Sequence, residues 1–278
     1  MLFKKIVDII LCPCCGKDSV LQMHNTFVTT CCNTEFKIEE NQILIFDDTL
    51  FSIPEVRMRD DQAESYLIHS KFPTQISRMN AWMSNIPRHL LNGVMLDLGC
   101  GPGPTTKMLL EVGASNILSV DFSINSLRIN KDMCQTYKKK PIYVLQDIRN
   151  LRIKEGSVSV LVMADFLQHI VNGDERKYFL KNIFKSLVPG GCFFLSFFNI
   201  NVKHYFKKDI SGSFNSGAIK YERLNYKAVM SCFPEDIIVE KIIPMNISHN
   251  AFVDKILSFF PFSHLLSRMI VIQGRKKL

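Results

Sequence analysis

The sequence lacks any long run of apolar residues: no stretch approaches the ~18–20 consecutive apolar residues of a membrane-spanning helix. It also lacks a usual export signal, because Asp8 interrupts the apolar residues after the basic tip and Leu11 is too large for a lipoprotein cleavage site before Cys12. Repeats and low-complexity tracts are absent, and apolar residues make up 47% of the chain against 22% charged ones. We therefore expect a cytoplasmic protein with a packed core and no stable membrane insertion.

The charge balance is only mildly basic. The 278 residues include 34 Lys and Arg against 26 Asp and Glu, which gives a formal net charge of +8. Because the basic residues are scattered and form no long block, the charge permits an anionic partner without requiring one. The length suits one large α/β domain with a small additional module.

The nine cysteines do not form the distributed pairs of a secreted disulfide framework. Instead, Cys12 and Cys15 form a C-P-x-C-G knuckle, in which proline and glycine shape a tight turn and thiolates converge on a metal ion. The return pair, Cys31 and Cys32, follows at roughly the 15–20 residues usual for such sites. The spacing predicts a structural zinc site made by these four cysteines.

The N-terminal segment resembles the small zinc-ribbon domains that accompany many methyltransferases, through residues 9–13, 32–38 and 43–46. It departs from that pattern in its return knuckle, where a C-x-x-C spacing would place the third ligand at Thr29. Adjacent cysteines point apart in an extended chain, so Cys14 and His24 are alternative ligands. The other alternative is a degenerate ribbon that packs without metal.

Three regions follow from the changes in pattern: a zinc-ribbon-like module at 1–55, a helical cap or linker at 56–92, and a large domain at 93–278. Pro54 interrupts a segment without clear periodicity. A capping box at 61–64 opens one short helix of the cap, and a second helix is predicted after Thr74.

From Gly93 onward, apolar runs alternate with helical patterns, which predicts βαβ units and a parallel sheet. The helices include 104–112 and 175–187, and the last two strands are expected to form an antiparallel edge pair. The predicted strands are 94–98, 117–120, 142–145, 158–163, 192–197, 237–243 and 269–273. The fold class is therefore α/β and Rossmann-like, with a mostly parallel seven-stranded sheet flanked by helices.

A glycine-rich turn follows the first strand of this domain, in the sequence Asp97-Leu98-Gly99-Cys100-Gly101-Pro102-Gly103-Pro104. Alternate glycines let the backbone turn sharply and approach a ligand, at the sheet edge where α/β proteins bind nucleotides. A dinucleotide fingerprint would need glycine at position 104, which is proline. A pyrophosphate would also be repelled by the carboxylate of Asp97.

The D-x-G-x-G-x-G spacing closely resembles motif I of the class I S-adenosylmethionine (SAM) methyltransferases. Later strand ends carry further motifs of that family, at 119–123, 146–148 and 164–170. The resemblance implies that Asp121 binds the ribose, Phe122 and Asp147 the adenine, and Ala164 the methionine part. The implied SAM-binding residues are Asp97, Gly99, Cys100, Gly101, Gly103, Asp121, Phe122, Asp147, Ile148 and Ala164.

Methyl transfer is an in-line displacement that needs alignment and exclusion of water, and it needs a general base only for some acceptors. Asp165 and His169 lie near the expected methyl group and are the two candidates for a catalytic role, although no base is assigned. The N-P-P-Y motif of exocyclic amino methyltransferases is missing, since residues 164–167 read Ala-Asp-Phe-Leu.

The acceptor is expected to be set by the cap at 57–92 and by a polar, basic and aromatic insertion at 199–223. The apolar segment 251–266 is expected to pack on the sheet edge, with a membrane contact as the alternative. A zinc ribbon ahead of this fold is similar to the ribosomal RNA guanine-N1 methyltransferases, which favours an RNA base and an O or N acceptor atom. The alternatives are a small metabolite, a SAM-binding partner protein without turnover, and a zinc-ribbon adaptor.

Overall fold

The computed structural model describes residues 8–18, 22–24, 26–70, 83, 85–248 and 250–278. The helix predicted after Thr74 lies outside them. Within these ranges, no helix is both long enough and apolar enough to cross a membrane.

The main sheet has 11 strands in the order β1-β2-β3-β4-β7-β6-β5-β8-β9-β13-β12, and β10 and β11 form a separate hairpin. The strands are β1 (Gln22–Met23), β2 (Phe27–Thr29), β3 (Glu35–Glu39), β4 (Ile43–Ile45), β5 (Val94–Leu98), β6 (Asn116–Asp121), β7 (Ile142–Leu145), β8 (Val158–Ala164), β9 (Leu187–Phe198), β10 (Ser211–Phe214), β11 (Ile219–Glu222), β12 (Ile237–Met245) and β13 (Met269–Lys276).

Helices cover both faces of the sheet, as predicted. Those described are α1 (Pro54–Asp61), α2 (Ala63–Ser70), α3 (Pro104–Glu111), α4 (Ile124–Met133), α5 (Gly173–Lys185), α6 (Val202–Lys207), α7 (Tyr226–Met230) and α8 (Ala251–Leu257). One face of β5 packs through Leu96 with α5, and the other packs through Met95 with α3. This alternation produces the layered core of an α/β domain.

The predicted seven strands are all present, with β12 and β13 as the antiparallel pair at one edge. A count of seven for the whole sheet was too low, however, because the N-terminal module continues the same sheet. Its strand β4 lies parallel to β7, with Ile43 opposite Tyr143 and Ile45 opposite Leu145. All three residues of β4 are buried, which is typical of a strand covered on both faces.

The cap begins earlier than the sequence indicated. Pro54 does not interrupt a linker but occupies the first turn of α1, where its missing N–H costs nothing. The end of α1 is tied to the large domain, because Asp60 accepts hydrogen bonds from the Ser123 hydroxyl (2.6 Å) and the Asn125 N–H (3.0 Å). The first cap helices therefore lie against the start of α4.

The expectation that segment 251–266 packs on the sheet edge was wrong for most of its large side chains. Phe252, Phe259 and Phe262 are 73%, 80% and 70% exposed, whereas Asp254 and Ser263 are buried. Asp254 and Ser263 are buried because their side chains form hydrogen bonds with the backbone of neighbouring turns.

Candidate active site and cysteine cluster

The glycine turn after β5 has the geometry expected of a ligand cradle. Gly99, Gly101 and Gly103 have φ angles of 62°, 50° and 96°, in the region that only glycine adopts without strain. A Cβ atom at Gly99 would lie 2.9 Å from the Phe166 ring, and one at Gly103 would lie 2.3 Å from Asn130. A Cβ at Gly101 would meet open space, so the turn presents its backbone there to the crevice.

Asp121, at the end of β6, holds this turn in place. One carboxylate oxygen accepts the N–H of Gly101 and the other accepts the N–H of Ser123, both at 2.9 Å. Burial raises the pKa of Asp121, although these N–H donors and the nearby charge of Arg59 oppose that rise. Each oxygen keeps a second lone pair, so a pair of ribose hydroxyls could still donate to this carboxylate.

Asp97 is fully buried beside the turn. One carboxylate oxygen accepts a hydrogen bond from the Thr106 hydroxyl (2.7 Å), and Asn130 in turn donates to that hydroxyl (3.0 Å). The other oxygen is buried without a hydrogen-bond partner in the described part of the chain, and burial raises the pKa of Asp97 to about 7. An unpaired buried oxygen is costly, so this carboxyl is a polar group that the surrounding fold leaves partly unsatisfied.

Asp147, at the end of β7, is already paired. Arg149 approaches it with Nε 3.0 Å from both carboxylate oxygens, and the Arg149 N–H also donates to it at 2.9 Å. Sequence reasoning missed Arg149, although a basic residue two positions after the acid in a strand-end turn is a usable signal. Ile148 is partly buried against the core.

Asp165, after Ala164 at the end of β8, has a left-handed backbone (φ 57°), which is unusual for a residue other than glycine. Ser196 on β9 stabilises it: the Asp165 N–H donates to the Ser196 hydroxyl (3.1 Å), and that hydroxyl donates to the carboxylate. Gln168 donates to the Asp165 carbonyl at 2.5 Å. The carboxylate is therefore oriented by its neighbours at the strand end.

His169 lies beside this turn, with Nδ1 2.8 Å from the Lys220 carbonyl oxygen. Burial lowers its pKa to about 4, and the positive charge of Arg59 adds to that effect. The ring is therefore neutral at pH 7, and because a carbonyl only accepts, Nδ1 carries the proton. The other nitrogen, Nε2, is left as a proton acceptor.

Arg59 is a second residue at this site that sequence reasoning missed. Its side chain is 16% exposed, Nη1 donates to the Tyr66 hydroxyl (3.3 Å), and its guanidinium lies 6.0 Å from the centre of the Phe122 ring. Its Nε is buried without a hydrogen-bond partner among the residues described. In the sequence, nothing distinguishes Arg59 from Arg57, because only the packing of α1 places it over the crevice.

The cap and the insertion at 199–223 meet above the strand ends. Asn215, at the tip of the β10–β11 hairpin, donates to the Gln62 side chain (2.8 Å), which also accepts from the Tyr66 hydroxyl (3.0 Å). On β11, the Lys220 carbonyl forms the hydrogen bond to His169 Nδ1. Phe214 on β10 stacks on Tyr221 of β11 with ring centres 4.6 Å apart. The insertion is therefore a folded hairpin that joins the cap.

The four predicted zinc ligands converge. The Sγ atoms of Cys12, Cys15, Cys31 and Cys32 all lie within 4.8 Å of one another, with 3.9 Å between Cys12 and Cys32 and 3.4 Å between Cys15 and Cys31. A disulfide needs about 2.05 Å, whereas sulfurs around tetrahedral zinc lie about 3.8 Å apart. The spacing therefore fits a metal site, and none of the nine cysteines is in a disulfide.

The alternative ligands lie outside this cluster. Cys14 contacts the Thr34 hydroxyl at 3.4 Å, and His24 stacks on Phe27. Cys31 and Cys32 both reach the cluster because they occupy a turn in which Asn33 has a φ of 55°, so the rule that adjacent side chains diverge does not apply.

Ionisation within the cluster is uneven. Burial opposes ionisation of Cys12, but N–H donors of Cys15 and Cys14 outweigh it and lower its pKa to about 6. The side chain of Cys15, burial and the side chain of Cys12 raise the pKa of Cys32 to about 12. Four neighbouring thiols cannot all ionise without a compensating cation, which Zn²⁺ would supply.

Comparison with known proteins agrees with this geometry. Residues 95–191 match the methyltransferase domain family. The carboxy-S-adenosyl-L-methionine synthase of Cronobacter sakazakii is 30% identical over 165 residues, covering 54% of this chain and 64% of that protein. The enzyme of the same name from Shewanella halifaxensis is 29% identical over 140 residues, covering 48% and 54%. The chain thus spans about half to two thirds of the length of these relatives.

Solved structures share the fold. The N-methyltransferase NodS of Bradyrhizobium japonicum, in complex with S-adenosylhomocysteine, superposes with a TM-score of 0.56 at 13% identity, covering 83% of this chain and 99% of that one. The 1,6-didemethyltoxoflavin-N1-methyltransferase of Burkholderia thailandensis gives 0.53 at 18% identity, covering 80% and 88%. The large domain therefore shares the fold of these SAM-dependent methyltransferases.

Proposed function

We propose that the protein is a SAM-dependent methyltransferase that acts on a small anionic acceptor. The observation that carries the proposal is the glycine turn after β5, in which Gly101 faces open space on its Cβ side and is held by Asp121, together with the buried Asp97, one oxygen of which has no hydrogen-bond partner among the residues described. This pairing suits a ligand with an ammonium group at one end and no phosphate. The carboxylate of Asp121, on the next strand, adds acceptors for ribose hydroxyls.

The remaining cofactor contacts follow the same edge of the sheet. Asp97 would bind the ammonium, Asp121 the ribose, and Asp147 the adenine amino group in competition with Arg149. Backbone and apolar contacts would come from Gly99, Cys100, Gly101, Gly103, Phe122, Ile148 and Ala164. These residues fit the cofactor by type and by position at successive strand ends.

When bound, SAM supplies a methyl group already activated by its sulfonium. The protein then has to position the acceptor and exclude water, and the joined cap and hairpin suit the second task. His169, neutral at pH 7, could receive a proton at Nε2 from an acceptor that must lose one. Asp165, oriented by Ser196, would position the acceptor or the methionine part.

Arg59 bears on the class of acceptor. The Glu55 carboxylate, 3.5 Å from Nη2, offsets part of the Arg59 charge, but a guanidinium near a sulfonium is still repelled unless a further anion lies between them, and its buried Nε has no hydrogen-bond partner among the residues described. A carboxylate or phosphate on the acceptor would satisfy both conditions. An RNA base, which the zinc-ribbon resemblance favoured, gains no support from the matched proteins named above and is the less favoured acceptor.

A second candidate is the synthesis of carboxy-SAM, the activity named for the sequence relatives. The carboxylate of that compound would lie near the sulfonium, where Arg59 could pair with it. The two candidates differ in their product. Methyl transfer leaves S-adenosylhomocysteine, whereas synthesis of carboxy-SAM moves a carboxyl group from a carboxylate donor to the methyl carbon, which loses a proton, and leaves no S-adenosylhomocysteine.

The test is incubation of the protein with methyl-labelled SAM and fractionated cell extract, followed by mass spectrometry. Label in an anionic small molecule, together with S-adenosylhomocysteine, supports the proposed function. Carboxylated SAM without S-adenosylhomocysteine supports the second candidate, and label in RNA contradicts the small-molecule acceptor. SAM that binds without any turnover would indicate a non-catalytic partner protein.

For the cysteine cluster we propose one structural Zn²⁺ held by Cys12, Cys15, Cys31 and Cys32, in a protein of the reducing cytoplasm. Four protein ligands leave no open position, so the metal would stabilise the fold and take no part in the reaction. The cluster is anchored to the turn after β7, where the Leu11 N–H donates to the Arg152 carbonyl at 2.9 Å. Elemental analysis of the purified protein tests this, and zinc without SAM affinity would favour the adaptor alternative.

A further inference from the structure

Two segments at the carboxyl edge of the sheet present large apolar side chains to solvent. They are α6, with its flanking residues, and the segment 251–266. We call this surface the apolar patch and define it by Phe206, Phe252, Phe259, Phe260, Phe262 and Leu266. These side chains are 80%, 73%, 80%, 59%, 70% and 61% exposed, and adjoining residues line a cavity of about 410 Å³. Monomeric proteins rarely expose contiguous apolar surface of this kind without a function.

Two buried polar side chains hold the backbone of these segments through hydrogen bonds. Asp254 is buried and accepts the backbone N–H groups of Asn246 (3.0 Å), Ile247 (2.6 Å) and Ser248 (3.1 Å). Asn199, also buried, donates from its amide to the carbonyls of His264 (2.7 Å) and Ser267 (3.0 Å). These bonds fix the turns with the aromatic rings outward. Turns held by polar groups have no need of the rings for their own stability.

The backbone of Phe262 is a further sign that an outward-facing ring is retained at a cost. Its φ angle is 68°, a left-handed conformation that costs a bulky residue free energy and that asparagine or glycine adopts readily. The ring gains little in return within the fold, since 70% of the residue is exposed. A bulky aromatic side chain kept in this position suggests a contact outside the chain.

The charge around the patch favours an anionic surface. Segments 199–208 and 250–268 contain Lys203, Lys207, Lys208, Lys255 and Arg268, all of which are exposed. The single carboxylate in these two segments is Asp254, which is buried. The next carboxylate along the chain, Asp209, is 43% exposed and is paired with Arg223 at 3.2 Å. Exposed aromatic rings interleaved with an excess of cations are the composition of surfaces that lie in the headgroup region of an anionic bilayer.

The patch also lies at the same edge of the sheet as the candidate active site. Asn199 directly follows β9, and its N–H donates to the Arg268 carbonyl just before β13 (2.8 Å). The preceding residue, Phe198, has its ring centre 6.4 Å from that of His169. A surface that docks through the patch would therefore approach the entrance to the crevice.

We propose that the apolar patch is a peripheral docking site for anionic phospholipid membranes, in which the aromatic rings enter the interface and the surrounding cations bind lipid headgroups. No membrane-spanning segment is involved. The docking is independent of the reaction, so it can be tested whether or not the proposed methyl transfer is correct.

The experiment is co-sedimentation of the full chain with vesicles of phosphatidylcholine alone or mixed with phosphatidylglycerol. We expect binding to the mixed vesicles, weaker binding to pure phosphatidylcholine, and a decrease with added salt. Phe259→Ser combined with Phe262→Asn should weaken partitioning on the order of a hundredfold, because two aromatic rings leave the interface. Lys203→Gln with Lys207→Gln should weaken binding to the mixed vesicles roughly twenty- to thirtyfold.

Controls separate docking from folding. Phe262→Asn alone should leave the melting temperature unchanged or higher, while vesicle binding falls. Tyr178→Ser, which removes a 71% exposed aromatic residue on α5, should change neither. The proposal is overturned if the wild-type chain does not sediment with either vesicle, or if the phenylalanine variants bind like wild type. It is also overturned if the chain binds no vesicles and forms a dimer that the phenylalanine variants dissociate, since the patch would then be an interface between two copies.

Discussion

Replacement of Asp121 by alanine tests the cofactor site most directly, because this carboxylate is the proposed ribose ligand and also holds the glycine turn. The variant loses the acceptor for two ribose hydroxyls, and hydrogen bonds to a charged group are worth about 1.5–3 kcal/mol each. Allowing for water that replaces part of this interaction, we expect a loss of about 2–4 kcal/mol in binding of S-adenosylhomocysteine. That corresponds to a dissociation constant roughly 30- to 1,000-fold higher.

The same substitution should also reduce stability, because the N–H groups of Gly101 and Ser123 lose their partners at 2.9 Å. An unsatisfied buried donor costs about 1–3 kcal/mol, partly offset here because the buried carboxylate no longer has to be desolvated. We therefore expect a lower melting temperature with a folded protein at 25 °C. Asp121→Asn keeps one acceptor oxygen, so it should lose less of both quantities.

Isothermal titration calorimetry with S-adenosylhomocysteine gives the affinity, and thermal unfolding followed by circular dichroism gives the stability. The matched control is Asp132→Ala, which removes an exposed carboxylate of α4 and should change neither quantity. Affinity of the folded Asp121→Ala variant within a factor of two of wild type would refute the assignment of the ribose site.

Three further predictions concern other parts of the site. SAM affinity should fall by up to about tenfold per pH unit below pH 7 and level off above it, because the ammonium favours the ionised form of Asp97, whose pKa is about 7. Titration calorimetry at several pH values checks this, and the Asp97→Asn variant should show an affinity that does not change with pH. Cys12→Ser with Cys15→Ser should release zinc and increase amide hydrogen exchange in residues 8–46, while SAM affinity changes less than about threefold; retained zinc would exclude the proposed ligands. Arg59→Met should raise the KM for an anionic acceptor roughly 10- to 100-fold with little change in S-adenosylhomocysteine affinity, and an equal loss in both would contradict its role in acceptor binding.

The sequence predicted the large domain well because its signals are local. The strands at 94–98 and 142–145 have the bounds that were predicted, since buried parallel strands read as short apolar runs between turns. Helix α5 begins at Gly173, two residues before the predicted start, because Asn172 caps it by accepting the N–H groups of Asp174 and Glu175. A cap of this kind is visible in the sequence, but the helical period alone does not locate it.

In the candidate site, too, the sequence identified the residues with local signals and missed one that only long-range packing brings there. The glycine turn and the strand-end carboxylates were identifiable from spacing, since each lies within a few residues of a strand. The pairing of Asp147 with Arg149 is also local and was overlooked. Arg59 was beyond reach, because α1 is far from the crevice in sequence and its position depends on the bonds of Asp60 to the start of α4.

By itself, the sequence determined the βαβ framework, the glycine turn after β5 and the two cysteine pairs, because backbone sterics and short-range periodicity act over a few residues. The tertiary structure decided that β4 extends the sheet beyond β7, that Cys31 and Cys32 reach the same cluster, and that the aromatic rings of 251–266 face outward. These outcomes depend on strand pairing and buried polar bonds between residues distant in sequence. A different set of long-range contacts could have buried the same apolar residues. Composition and periodicity therefore could not decide whether the rings of 251–266 are buried or exposed.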